Sequence, residues 1–291
     1  MNQKAVLITG CSSGIGLALA VRLAKDEKKR FMGKDIYTLE KAAGHTLGST
    51  LEIKQLDVCD EKSIKACLDS LPMRRKCRNG NDWPIECQTI DEMKSVLDTN
   101  FFGLVRLLKE ILPDMKQRKS GHIVVISNVM GIQGILFNDI YAASKFAVEG
   151  FCESLAVQAL RFNLNISLIE PGPVITEFER KVYEEGVKID LSKADKVTAD
   201  MFTNIYLKNY NQIFQSLGQT PEDVAEHTFK MITMTNPPFR HQINHLCTHM
   251  TNLKYADPSG DLPIETFYKM VFEHDKVSRN TLSLDKDKNA S

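Results

Sequence analysis

Short apolar runs alternate with longer amphipathic stretches along most of this chain. Three segments have the length and apolar character of buried strands: residues 4–10, 122–127 and 165–170. Residues 51–58 alternate between apolar and polar side chains and end near Asp57, which predicts one more strand. Residues 61–71 and 89–115 are amphipathic and predict helices. Strands separated by helices are typical of an α/β domain with a parallel sheet.

A glycine-rich turn, Gly10-Cys-Ser-Ser-Gly14-Ile-Gly16, follows the first predicted strand and leads into an amphipathic helix. Glycines let the backbone approach a pyrophosphate, and the free N–H groups and dipole of a helix N-terminus face the anion. The turn therefore predicts a dinucleotide site. Its candidate residues are Gly10, Ser12, Ser13, Gly14, Ile15 and Gly16.

Tyr141 and Lys145 are four residues apart in a predicted helix, so both side chains project from one face. A nearby lysine cation favours the phenolate and lowers a tyrosine pKa that is ordinarily near ~10. Such a pair can serve as a general acid and base for interconverting an alcohol and a carbonyl.

Three further segments stand around these two motifs: Thr99-Asn100-Phe101-Phe102-Gly103, Phe137-Asn138-Asp139-Ile140-Tyr141 and Glu170-Pro171-Gly172-Pro173. With them, nearly the whole chain resembles the short-chain dehydrogenase/reductase family. Within that family it is most similar to the branch whose members act on estradiol or all-trans retinol, with the retinol enzymes nearer. The resemblance implies a Rossmann-type, doubly wound parallel sheet in one domain over residues 1–275. It also implies a helical substrate lid near residues 180–216, and we expect the polar residues 276–291 to be disordered.

The resemblance also assigns roles to individual residues. Tyr141 exchanges a proton with the substrate oxygen, and Lys145 lowers the pKa of Tyr141 and binds the nicotinamide ribose. Asn100 holds a water that links Lys145 to solvent. The remaining cofactor contacts that it implies are Asp57, Val58, Pro171, Gly172, Val174 and Thr176. The activity implied is NADP-dependent interconversion of all-trans retinol and retinal, or of a 17-beta-hydroxysteroid such as estradiol and its ketone.

Asn128 stands where the family has its catalytic serine, thirteen residues before the tyrosine. An amide can donate a hydrogen bond to a developing oxyanion but cannot relay a proton as a hydroxyl does. Ser127 is adjacent, yet a shift of one residue along a strand turns a side chain to the other face. We expect catalysis weakened by ~10–1000-fold if one donor is misplaced. The alternative is a catalytically impaired binding protein that retains the fold.

The segment between residues 31 and 50 is about ten residues shorter than the family's usual spacing, so we expect an abnormal second strand, with residues 36–39 as its remnant. Glu40 would then favour NAD, because a carboxylate accepts a ribose hydroxyl and repels a phosphate. The resemblance favours NADP, and Ser12 and Lys34 could meet a phosphate. We therefore expect NADP and keep NAD as the alternative.

Residues 72–84 contain four cations and two prolines where the family has its fourth strand. A buried parallel strand needs a nearly continuous run of apolar residues, so we expect this strand to be lost. A splicing or reading-frame error in the gene model is an open explanation, and sequencing of the native transcript would test it.

Composition narrows the class of protein further. The 37 basic and 37 acidic residues of this 291-residue chain balance, so nothing favours nucleic-acid binding. Seven cysteines, an odd number, predict reduced thiols and a cytoplasmic location. We expect no transmembrane segment and no signal peptide, while peripheral membrane contact stays open because retinoids partition into lipid. We expect a homodimer. His241, His245 and His249 could be drawn as a metal face, but a strand would scatter them, so we expect no metal.

Overall fold

The computed structural model describes residues 5–11, 13–25, 30–33, 51–53, 57–70 and 82–273. The chain divides into two compact units, Met1–His245 and Leu246–Ser291. The first unit contains all the sequence motifs except His249, the last of the three spaced histidines. We describe each unit by itself.

Six strands form two parallel sheets among the described residues. β1 (Ala5–Leu7) pairs with β2 (Arg30–Gly33), and β2 pairs with β3 (Leu51–Ile53). β4 (Gly121–Ile126) pairs with β5 (Leu164–Glu170), and β5 pairs with β6 (Arg240–Gln242). All four pairings are parallel, as the alternation of strands and helices predicts.

The helices of the first unit separate these strands. In chain order they are α1 (Gly14–Ala24), α2 (Glu61–Ser70), α3 (Ile90–Leu97), α4 (Gly103–Arg118), α5 (Asp139–Leu160), α6 (Glu177–Gly186), α7 (Lys196–Met201), α8 (Lys208–Leu217) and α9 (Pro221–Thr233). Two single 3₁₀ turns lie at Ile85–Cys87 and Val129–Gly131. The second unit contains α10 (His245–Ala256), which begins at the last residue of the first unit, and α11 (Asp261–Phe272).

The side chains of β4 alternate between two apolar layers, as the period of a strand requires. Ile123 and Val125 pack with helices α4 and α5, whereas Val124 and Ile126 pack against a cluster that includes Ile15 of α1. The sheet therefore has helices on both faces. This three-layer arrangement is the α/β architecture that the sequence predicts.

The predicted helix over residues 89–115 is interrupted. A π-helical segment, Asp98–Phe102, separates α3 from α4 and contains Asn100. Single π turns inside α-helices are frequent at functional sites, since the extra residue shifts the side chains that follow it. The start of α9 agrees with its sequence, because Thr220 and Asp223 form a reciprocal capping box with Pro221 in the first turn.

The predicted strand over residues 51–58 does not reach its expected end. The described part of β3 is Leu51–Ile53, and Asp57 lies in a local turn, where its carboxylate accepts a hydrogen bond from the Cys59 N–H at 2.9 Å. A side chain bonded to its own backbone two residues on competes with strand pairing.

The expected abnormality of the second strand is not confirmed, because β2 is paired on both sides, N-terminal to the suggested residues 36–39. Residues 36–39, residues 72–81 of the segment 72–84 that was expected to lose the fourth strand, and the polar tail at 276–291 lie outside the described part of the chain. The region expected to form a lid is helical, with α6, α7 and α8 covering most of it. Among the described residues, none of the helices combines the length and the apolar character that a bilayer crossing requires.

Candidate active site

Tyr141 and Lys145 lie in the first half of helix α5 and are both buried. The Lys145 Nζ atom donates to the carbonyl oxygens of Ile126 at 3.3 Å and Ser127 at 3.5 Å. It lies 5.6 Å from the centroid of the Tyr141 ring. The carbonyls at the end of β4 thus hold the cation beside the phenol, in the arrangement that the four-residue spacing predicts.

Asn100 reaches the same helix from the π segment. Its Nδ2 donates to the Ser144 Oγ at 3.1 Å, and Ser144 in turn donates to the carbonyl of Tyr141 at 2.7 Å. The interruption of the helix therefore brings Asn100 to the helix that carries the tyrosine. Ser144, which the sequence did not single out, is the link between them.

Asn128 directly follows β4 and caps the 3₁₀ turn Val129–Gly131. Its Oδ1 accepts a hydrogen bond from the Met130 N–H at 2.9 Å. Since only the amide oxygen can accept, this bond fixes the orientation of the side chain and leaves its NH₂ group as a donor. Asn128 directly follows Ser127, whose carbonyl holds Lys145, and a donating amide there is suited to a developing negative charge on oxygen.

Ser127 faces elsewhere, as the shift of one residue predicts. Its hydroxyl is fully buried and has no hydrogen-bond partner among the described residues. A Cβ placed on Gly131 would lie 3.1 Å from the Ser127 Oγ and 2.6 Å from the Cγ of Glu149. Ser127 is therefore directed toward Gly131 and Glu149, and the catalytic role considered for it stays a prediction.

The glycine-rich turn has the close backbone packing that a phosphate site needs. Gly10 and Gly14 have positive φ angles of 69° and 56°. A Cβ on Gly16 would lie 2.2 Å from the carbonyl oxygen of Gly10, so only glycine fits there. Ser13 precedes α1 without bonding to it through its side chain, so the first N–H groups of the helix are left for a ligand. Ser12 lies outside the described residues.

The segment after β5 lies against this turn. A Cβ on Gly14 would be 3.3 Å from the Thr176 Cγ2, and Ile15 shares a buried cluster with Val174. The Pro171 carbonyl accepts from the Val129 N–H at 3.0 Å, which joins the segment to the Asn128 turn. Gly172 follows in the same connection. The Thr176 hydroxyl caps α6 by accepting from the Glu179 N–H at 3.4 Å.

Asp57 and Val58 lie beside Gly103, the first residue of the helix that follows the Asn100 segment. The Asp57 N–H donates to the Ser63 Oγ at 3.0 Å, and Val58 packs so closely on Gly103 that a Cβ there would lie 2.5 Å from its Cγ2. Candidate residues from β1, β3, β4 and β5 therefore all follow the carboxyl ends of their strands. Ligands of open parallel sheets bind at this edge, and the glycine turn and the open N-terminus of α1 fit a dinucleotide.

A sequence model described as short chain dehydrogenase matches residues 4–75 and 79–186. The chain belongs to the short-chain dehydrogenase family. It is 48% identical to human retinol dehydrogenase 8 over 282 residues, which are 92% of this chain and 90% of the relative. It is 40% identical to human 17-beta-hydroxysteroid dehydrogenase type 1 over 287 residues, 94% of this chain and 87% of the relative. This dehydrogenase is thus an oxidoreductase related to both.

The fold of this dehydrogenase matches solved structures of the same kind. One is the closed form of serine dehydrogenase complexed with NADP⁺, with a TM-score of 0.64 and 24% sequence identity over 82% of this chain and 94% of that one. At that level of identity the likeness concerns the fold alone.

An aromatic cluster lies beside the start of helix α5. Phe202 and Tyr206, both from the π segment Phe202–Leu207, stack with centroids 5.5 Å apart, and Phe137 meets Phe202 edge-on at 5.2 Å. The Asn138 Nδ2 donates to the Tyr206 hydroxyl at 3.2 Å. Burial, and after it the nearby Asp82 carboxylate, raise the pKa of Tyr206 well above its usual value. Tyr206 therefore stays a neutral phenol.

Sequence reasoning missed one set of ionic residues entirely: Glu149 and Glu153 of α5, Glu170 of β5 and Arg240 of β6, which contact one another. A carboxylate one turn after Lys145, and another at the end of an apolar strand, were the available signals. Buried carboxylates predict a cationic partner, but the sequence does not say which of its 37 basic residues fills that place. For the histidines, the structure forms no group of three metal-binding side chains within its described part.

Proposed function

We propose that this dehydrogenase uses NADP(H) to interconvert all-trans retinol and all-trans retinal. The observation that carries the proposal is the Lys145 ammonium held beside the Tyr141 ring by the carbonyls at the end of β4. In the same unit, the glycine turn packs against the Thr176 segment. The 48% identity to human retinol dehydrogenase 8 supports the choice of substrate.

In the reductive direction, Tyr141 gives its phenolic proton to the carbonyl oxygen of the substrate. When bound, the nicotinamide supplies the hydride that the carbonyl carbon accepts, so the products are the alcohol and the oxidised cofactor. The Lys145 cation stabilises the phenolate that Tyr141 becomes, and in oxidation the same phenolate takes the proton back. Asn100 and Ser144 fix the turn of helix that holds Tyr141.

Asn128 takes the place of the family's serine as a hydrogen-bond donor to the reacting oxygen. Because its Oδ1 already accepts from Met130, its NH₂ is the part available to that oxygen. We infer that the exchange preserves stabilisation of the oxyanion but not proton relay, so turnover is slower than with serine.

For the cofactor we propose NADP, with NAD as the alternative. The residues that bear on this choice, Ser12, Lys34 and Glu40, lie outside the described part of the chain, so the proposal rests on the family resemblance. Turnover with NADPH and with NADH at equal concentrations tests it, and a preference for NADH would overturn it.

The substrate is proposed to be apolar and to lie under the lid formed by α6, α7 and α8. The aromatic cluster of Phe137, Phe202 and Tyr206 packs in the apolar core beside this region, and an apolar substrate such as a polyene or a steroid suits such surroundings. A 17-beta-hydroxysteroid is the second candidate, since the chain is 40% identical to human 17-beta-hydroxysteroid dehydrogenase type 1. We also propose a homodimer and contact with membrane lipid, to be tested by light scattering and by vesicle sedimentation.

Hydride transfer from NADPH to all-trans retinal by the purified protein tests the proposed activity. We expect retinol to form, and N128S to form it ~10–1000-fold faster. Estrone in place of retinal decides between the two substrates. If neither protein turns over either substrate but both bind NADPH, the competing assignment as an impaired binding protein is correct. Turnover by N128S alone would mean that only the donor is missing.

A further inference from the structure

Four ionic side chains meet behind the tyrosine–lysine pair, and we call them the Arg240 cluster: Glu149, Glu153, Glu170 and Arg240. The Arg240 Nη1 contacts the Glu149 carboxylate and donates to the Glu170 Oε1 at 2.8 Å, while its Nη2 donates to the Glu153 Oε2 at 2.9 Å. One guanidinium thus ties helix α5 to strands β5 and β6.

The members of the Arg240 cluster differ in exposure. The side chains of Glu149 and Glu170 are 4% and 0% exposed, whereas that of Glu153 is 66% exposed. The second oxygen of Glu149 has no hydrogen-bond partner among the described residues, and the further hydrogen-bonding neighbour of the Glu170 carboxylate is the neutral side chain of Gln242. Two buried carboxylates therefore share one cation, and a buried charge that is incompletely paired acts strongly on its neighbours because water does not screen it.

Glu149 is the member placed to act on the proton-transferring pair. It follows Lys145 by four residues and Tyr141 by eight, so the three side chains project from one face of α5. At a rise of 1.5 Å per residue, Glu149 is about 12 Å along the helix from Tyr141 and about half that from Lys145. Charges at these separations inside a protein are coupled.

The position of Glu149 is fixed as well as buried. A Cβ on Gly131 would lie 2.6 Å from the Glu149 Cγ and 3.0 Å from its Oε1. Gly131 closes the 3₁₀ turn that begins after Asn128, so Glu149 packs under the same turn that supplies the oxyanion donor.

Apart from the Arg240 guanidinium, which is shared with two other carboxylates, the groups described as facing Glu149 carry no positive charge. Ser127 is a neutral hydroxyl, and burial followed by the Glu149 charge raises the pKa of the Cys152 thiol to about 12. Burial, and after it repulsion from Glu149, also raise the pKa of Glu170 to about 7.

We propose that Glu149 is a positioning residue for the proton transfer: its fixed negative charge, one turn behind Lys145, offsets part of the lysine cation and keeps Tyr141 protonated. The inference rests on the proposed function, since it takes Tyr141 as the proton donor. A protonated phenol is the form needed for reduction, and Glu149 biases the site toward that direction.

An ultraviolet titration of tyrosine ionisation tests the proposal without requiring turnover. The difference between the protein and its Tyr141→Phe variant isolates the pKa of Tyr141, and the same difference is measured in E149Q and E153Q backgrounds. We expect E149Q to lower the pKa of Tyr141 by roughly 0.3 to 1 unit, because a buried negative charge is removed. We expect E153Q, the matched control on the same helix and the same arginine, to change it by less than about 0.2, because water and salt screen an exposed charge.

Equal effects of E149Q and E153Q, or no change in E149Q, would overturn the proposal. Should E149Q fail to fold, R240K tests the same proposal, with an expected change in the pKa of Tyr141 of the opposite sign. An ammonium cannot bridge both buried carboxylates, so less of the Glu149 charge is neutralised and the pKa of Tyr141 rises. An unchanged pKa in folded R240K overturns the proposal too. A wild-type protein that titrates as expected but reduces no substrate would count against the proposed function and not against the role of Glu149.

Discussion

Near the start of helix α5, Lys145 contacts main-chain carbonyls and lies beside the Tyr141 ring, whereas Glu149, at the middle of the helix, and Glu153, in its second half, contact the guanidinium of Arg240. Carbonyl dipoles hold the lysine without cancelling its charge, so the cation remains available to a phenolate. Glu149, Glu153 and Glu170 instead share a single guanidinium, which holds their carboxylates by ion pairs. In helix α5, hydrogen bonds to neutral groups thus hold the proton-transferring lysine, whereas ion pairs hold the carboxylates that follow it.

The largest effect that we expect is a dependence of the protein's stability on pH, caused by the buried Glu170 carboxyl of the Arg240 cluster. Its pKa is about 7 in the folded protein against an ordinary 4.5, so between these values the folded state binds more protons than the unfolded state. The contribution of Glu170 to the free energy of unfolding therefore falls as pH rises from about 4.5 to about 7, by up to about 3 kcal/mol. Urea unfolding at pH 5 and pH 8 measures it.

The variant E170Q isolates that effect, since its amide does not titrate. We expect the wild type to lose stability relative to E170Q between the two pH values, and E153Q to follow the wild type. A stability difference between wild type and E170Q that stays constant with pH would mean that the Arg240 cluster holds both buried carboxylates ionised throughout.

The next effect concerns the packing of Glu149 under the Asn128 turn. G131A places a Cβ 2.6 Å from the Glu149 Cγ, so we expect a loss of about 1 to 3 kcal/mol in the free energy of unfolding. G134A is the matched control in the same connection, because nothing lies within 4 Å of its Cβ. Equal stabilities of G131A and G134A in denaturant would show that the Glu149 side chain can move aside. The position of Glu149 would then be no more fixed than that of Lys145.

The smallest effect lies in the first half of the helix. S144A removes the hydroxyl that donates to the Tyr141 carbonyl and accepts from Asn100, which we expect to cost about 1 kcal/mol of stability. S216A is its control, because the Ser216 hydroxyl donates to a carbonyl of its own exposed helix, that of Gln212 at 2.8 Å. Thermal unfolding compares the stabilities of S144A and S216A. A larger loss in S216A would show that Ser144 does not help to fix the helical turn that holds Tyr141.

The elements around the site could be predicted wherever a strong local pattern coincides with the fold. The strands predicted to end near Ser127 and Glu170 are confirmed as β4 and β5, whose apolar side chains pack in the core. The strand predicted to end at Gly10 is confirmed as β1, which ends three residues earlier, at Leu7. The end of β3 was wrong because the Asp57 side chain bonds to its own turn. The π segment around Asn100 was not visible as such, since its residues keep the amphipathic pattern of the helices on either side.

In the candidate site too, features set by local sequence could be predicted, whereas long-range contacts could not. The spacing of Tyr141 and Lys145 follows from helix geometry and is confirmed, and the glycine turn follows from the need for close backbone packing. Arg240 could not be assigned, because it lies 70 residues from Glu170 and 91 from Glu149, and only the folded sheet brings them together. Long-range ion pairs leave no periodic trace in a sequence.

Transfer of deuterium from NADPH to all-trans retinal, measured with and without the Tyr141 hydroxyl, directly tests the proposed reaction and the role of Tyr141 in it. The purified protein is incubated with all-trans retinal and NADPH that carries deuterium at the transferred position, and the retinol is analysed by mass spectrometry. We predict retinol with one deuterium from the wild type and at least ~100-fold less from the Tyr141→Phe variant. Equal labelling by the two proteins, or no labelled retinol from a wild type that binds NADPH, would contradict the account.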